Sequence, residues 1–81
     1  MKKQSHLQLG EIYTIQASVS GFCFAWQEGK SSIDLHHGDA VLYLGSDPRE
    51  SAARGQPICE VLTHKGRLLM DERWLYPLEA A

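Results

Sequence analysis

The sequence predicts an all-β fold, a small barrel of five or six short strands. Two features carry that expectation. Segments 11–17, 39–45, 58–64 and 67–71 alternate along the chain with the two-residue period of a strand. Glycine-bearing turns separate them, and a compact block at residues 35–45, with Gly38-Asp39 leading into Val41, Tyr43 and Gly45, stands at the middle.

The elements follow in order. Residues 1–8 form a flexible lead, in which Lys2 and Lys3 carry the charge of a signal peptide without the apolar stretch that would have to follow. In segment 11–17, Tyr13, Ile15 and Ala17 share an apolar side and Ile12, Thr14 and Gln16 a mixed one. Segments 20–27 and 31–35 flank Glu28-Gly29-Lys30 and read as a hairpin curling over the barrel, with Phe22, Phe24 and Trp26 on one face and Cys23 and Ala25 on the other. Segment 39–45 is apolar on both faces, which marks a central strand or one covered on both sides. Residues 46–57 are a variable loop, bounded by Asp47-Pro48 and Gly55-Gln56-Pro57. A helical turn over 49–54, capped by Ser46 or Asp47, fits inside it. Deleting 49–54 should leave the barrel folded, because surface loop length costs little.

Segment 58–64 sets Cys59, Val61 and Thr63 against Ile58, Glu60, Leu62 and His64, with the Glu60 side toward water. Lys65-Gly66 makes a tight turn into Leu68, Leu69 and Met70. The tail is too short for a stable helix, and a 3₁₀ turn pressing Trp74, Leu75 and Leu78 onto the barrel fits it better.

This order of parts resembles the SH3-like family of small β-barrels. The matching elements are the first strand from Gly10 to Ile15, the long hairpin loop, the strand entered through Leu35-His36-His37-Gly38-Asp39, the variable loop, the Lys65-Gly66 hairpin and a 3₁₀ turn before a last short segment. The resemblance covers nearly the whole chain, is topological and implies the fold. The Ala-Leu-Tyr-Asp-Tyr start and acidic loop of the signalling branch are missing, so its polyproline groove is not carried over. The basic neighbours of the ribosomal KOW type reduce here to Lys65 and Arg67, and the Val-Gln-Ile-Tyr segment of a plasmid-borne dihydrofolate reductase has no counterpart.

Composition narrows the function. With 81 residues there is one domain, which buries about 60–65% of the surface of its unfolded chain. A formal charge of −2 argues against a general polyanion binder. No apolar run reaches the roughly 18–20 residues of a membrane span, and the expected compartment is the cytoplasm. Cys23 and Cys59 read as small apolar core residues, with a bridge between them geometrically open. His36 and His37 would point to opposite faces of a strand, and no metal-ligand spacing occurs, so no metal or cofactor is expected. No catalytic residue stands out. His64 lies on the face opposite Cys59, Asp39 reads as a turn residue, and so small a domain leaves little room for an enclosed pocket of about 300–1,000 Å³.

The leading candidate site is aromatic: Phe22, Phe24 and Trp26, with Tyr43 and Tyr76 as neighbours. Such residues close the open end of a small core, or they form a partner-binding surface. The favoured function is a non-catalytic protein-interaction module, acting through this patch or a strand edge, with a homodimer as one form of it. The alternative is a nucleic-acid-associated accessory protein using Lys65 and Arg67; third is a small enzyme whose site exists only in an oligomer.

Overall fold

A computed structural model describes residues 7–27, 29–30 and 32–77. Seven strands form one antiparallel sheet: β1 (Ile12–Ile15), β2 (Phe22–Trp26), β3 (Ser32–His36), β4 (Ala40–Ser46), β5 (Ile58–Thr63), β6 (Gly66–Asp71) and β7 (Leu75–Pro77). Their order is β3-β2-β6-β5-β4-β1-β7. Two strands more than the lower expectation arise because both arms of the hairpin and the last short segment join the ladder. The sheet is not closed: β3 and β7 are its ends.

A sheet with no second layer can hide its apolar face only by coiling around it. The inward residues are Tyr13 and Ile15 from β1, Val41 and Tyr43 from β4, and Cys59 and Val61 from β5. Leu68 and Met70 from β6, Cys23 and Ala25 from β2, and Ala17, Leu35 and Leu75 complete the cluster. The apolar side read in segment 11–17 is this buried side. Both cysteines are buried and free.

Residues 1–6 of the expected flexible lead lie outside the described residues. Leu7 packs against the core, and the Gln8 N–H donates to Tyr13 Oη at 2.8 Å. β4 is central, between β5 and β1. Its pairing with β5 slips after Tyr43, so that Gly45 faces Glu60 across a bulge. Gly45 takes φ +121° there, a conformation that side-chain-bearing residues rarely adopt, so glycine is demanded by the backbone.

The variable loop contains a seven-residue helix, α1 (Pro48–Arg54). Asp47 is its cap, accepting from the Glu50 N–H at 3.0 Å, and Pro48 supplies a preset φ at the first turn. Ser51 Oγ accepts from the Ile58 N–H at 2.8 Å and lies 2.7 Å from the Asp47 carbonyl, which ties α1 to β5. Ile58 was expected on the water side with Glu60, yet it is fully buried and stands apart from the main cluster. This helix-to-strand tie gives the strand start a cover that period-two reasoning cannot foresee.

The 3₁₀ turn forms at Glu72–Trp74, capped by the Asp71 carboxylate on the Arg73 N–H at 2.9 Å. Leu75 is buried as expected. Trp74 is not pressed into the core but stays 36% exposed, and Leu78 lies outside the described residues.

Candidate functional site

The alternation of β2 decides which of its side chains can serve a partner. Cys23 and Ala25 occupy the core, so Phe22, Phe24 and Trp26 emerge on the opposite face. Phe22 and Trp26 are half-buried, Phe24 is 60% exposed, and the two phenyl rings meet edge to face with centroids 5.5 Å apart. They do not plug an open end of the core.

These rings line an open cleft of about 820 Å³. Helix α1 contributes Glu50 and Arg54, and the segment around the 3₁₀ turn contributes Asp71, Arg73 and Trp74. Gln27, Gly29 and Lys30 form a lip where the β2–β3 hairpin turns. β2 reaches β6 only through Ala25 and Trp26 (opposite Met70 and Leu69), so Phe22–Phe24 diverge from the end of β6 and leave the gap.

Two arginines are fixed in its walls. The Arg54 guanidinium lies 4.1 Å from the centre of the Trp26 ring, and its Nε donates to Glu50 Oε1 at 3.0 Å, one helical turn back. Arg73 grips Asp71 through Nε, at 3.0 Å to Oδ1, and Nη2, at 2.6 Å to Oδ2. Asp71 is the buried charged residue of the described chain, and this fork together with the Arg73 N–H satisfies its carboxylate.

Cys23 borders the cleft but offers no nucleophile. Burial first, then Asp71, Asp34 and Asp39, push its thiol up from 9.0 to about 11, so it stays protonated. Burial drives Cys59 up as well, followed by Glu72 and Asp71. Among the described residues, no group of three or more histidine, cysteine or carboxylate side chains is placed to hold a metal ion.

The other expected site residues fall elsewhere. Tyr43 belongs to the core, only 5% exposed, with its ring edge-on to Tyr13 at 6.0 Å and its hydroxyl 3.2 Å from Ser46 Oγ. Its place as a partner contact is corrected: on β4 it is Val41 and Tyr43, not Leu42 and Leu44, that turn inward. Tyr76 is half exposed on β7, opposite Thr14, and does not line the cleft. Lys65 donates through Nζ to the Asp34 carbonyl at 3.1 Å, and Arg67 pairs with Glu60 at 3.0 Å.

No protein-family model, no curated protein and no solved structure matches this chain. The site must be read from its own chemistry. Sequence reasoning missed Arg54, Arg73 and Asp71 and assigned Trp74 to the core. The one local signal was Glu50 four residues before Arg54.

No described helix is long and apolar enough to cross a membrane.

Proposed function

We propose that this protein is a non-catalytic protein-interaction module of the SH3-like type, binding a partner in the cleft floored by β2. What carries the reading is the exposure of Phe24 beside Phe22, Trp26 and Trp74, four aromatic side chains converging on one open hollow. Aromatic anchors in a concave surface are where interface energy concentrates. The SH3-like reading is supported by the element order, with a hairpin after β1, a helix between β4 and β5, a tight β5–β6 turn, a 3₁₀ turn, and a last strand returning to β1.

The nucleic-acid alternative would use Lys65 and Arg67, but neither lines the aromatic cleft. An enzyme assembled by oligomerisation would need a reactive group at the cleft, where the available thiol is buried and protonated.

The test is capture of partners by wild-type protein and by Trp26→Ala and Phe24→Ser variants, each with and without nuclease. Partners that survive nuclease and are lost with both variants are expected. Because Trp26 is only half-buried, Trp26→Ala should cost about 1–2 kcal/mol of stability. Unchanged capture by folded Trp26→Ala would remove the cleft from the interaction.

A further inference from the structure

The two ion pairs in the cleft walls are lopsided. The Arg54 side chain is 48% exposed against 33% for Glu50, and Arg73 is 58% exposed against 12% for Asp71. In both pairs the carboxylate lies deeper and the guanidinium faces outward. Lys30 on the lip adds a third cation. The outward lean recurs in the Arg67–Glu60 pair, at 67% against 35%, but the described cleft lining sets three cations against two carboxylates in a chain that carries −2 as a whole.

Both guanidiniums are also held in place before any ligand arrives. Arg54 is clamped between the Trp26 ring and Glu50, and Arg73 is gripped by Asp71. Side chains already fixed lose little entropy when they bind. Among the described residues, Arg54 engages only Nε, and Arg73 only Nε and Nη2, which leaves each of them further donors. Exposed apolar surface, Phe24 and Trp74, shares the same hollow.

We infer that the cleft takes an acidic linear peptide, in which Asp or Glu residues flank an aliphatic or aromatic anchor. The anchor fills the space by Phe24 and Trp74, and the carboxylates meet Arg54, Arg73 and Lys30. This rests on the protein-interaction reading above and names its partner chemistry. A nucleic-acid strand suits the hollow less well. Charged at every unit, it would set more negative charge against Glu50, Asp71 and the net charge of −2 than a peptide with one or two carboxylates does.

The experiment is selection of a random dodecapeptide display library on the full chain, followed by binding of the selected peptides read by tryptophan fluorescence. Selected sequences should pair Asp or Glu with Leu, Phe or Trp. Replacing their carboxylates by Asn and Gln should weaken binding about tenfold, the order of one well-placed charge pair. Arg54→Gln or Lys30→Glu, each checked for cooperative melting, should reduce the difference between acidic and neutral peptides. Arg67→Gln, whose guanidinium pairs with Glu60 and does not line the cleft, should leave it intact. Selection of neutral, basic or proline-rich sequences that still depend on Trp26 would overturn the acidic partner while leaving the docking reading in place. Selected peptides that bind Trp26→Ala as well as wild type would overturn both. Displacement of the peptides by a dodecamer of thymidine at lower concentration would replace the peptide with a nucleic-acid strand.

Discussion

The imidazole of His37 does structural work that its exposed position conceals. Its Nδ1 accepts from the backbone N–H of Ala17, a buried residue, at 3.0 Å, while the Gly38 N–H beside it donates to Ile15 at 2.8 Å. One side chain thus fastens the end of β1 to the turn before β4. His37→Ala should cost about 1–2 kcal/mol by urea denaturation, because a buried donor loses its partner. His37→Asn, which offers a carboxamide oxygen, should recover part of that loss. Glu72 makes the opposite case. Burial first, and then Asp71, raise its pKa above the ordinary 4.5, so its charged form is less at ease in the folded chain than in the unfolded one. The folded state therefore gains from Glu72 only as pH falls through the carboxylate range. Glu72→Gln should raise the Tm at pH 7 or leave it unchanged, and a clear fall would show that the carboxylate has a favourable partner.

Helix α1 is better anchored than a variable loop needs to be. Ser51 bonds at 2.8 Å to the strand that follows, and Arg54 reaches across to Trp26. Removal of 49–54, expected from the sequence to be harmless, would uncover Ile58 and strip one wall from the cleft. The point variant is cleaner. Ser51→Ala should lower stability by about 1–2 kcal/mol, since the Ile58 N–H is left without its acceptor. The same variant should also raise the exchange rate of the α1 amides, measurable by NMR. These elements show what was legible in the sequence and what was not. The strand-by-strand alternation of β1 and β2 was readable because a period of two is a local property, and it placed Phe22, Phe24 and Trp26 on one face correctly. The capped helical turn was readable from Asp47-Pro48 and Gly55. The cleft was not, because its walls come from residues 22–26, 50–54 and 71–74, joined only by the pairing of β2 with β6. Tyr43 was misplaced because both faces of β4 are apolar, and one residue of parity decides which turns inward.

For the molecule as a whole, the buried thiols set a limit on the alkaline side. In the folded chain Cys23 keeps its proton to about pH 11, whereas the unfolded chain begins to release it near 9.0, and Cys59 shifts in the same direction. Between these values the unfolded state holds fewer protons, so stability present below pH 9 is lost as pH rises. The slope should reach about 1.4 kcal/mol per pH unit for each thiol. Denaturation series at pH 8, 9, 10 and 11 test this. Cys59→Ala, although less stable at pH 8, should decline less steeply, and parallel declines would show that other groups are responsible.

The pairing of β1 with β7 also has a consequence for how the chain folds. β4, β5 and β6 are neighbours in sequence and can zip up locally, but Thr14 and Tyr76 stand 62 positions apart. Contacts that close so long a loop form late. Trp74 depends on them, since its carbonyl is held by the Gln16 N–H at 2.8 Å, where β1 runs out. One wall of the cleft therefore waits for β1 and β7 to meet. A nascent chain whose residues 72–77 are still inside the ribosome would have most of its sheet and an unfinished hollow.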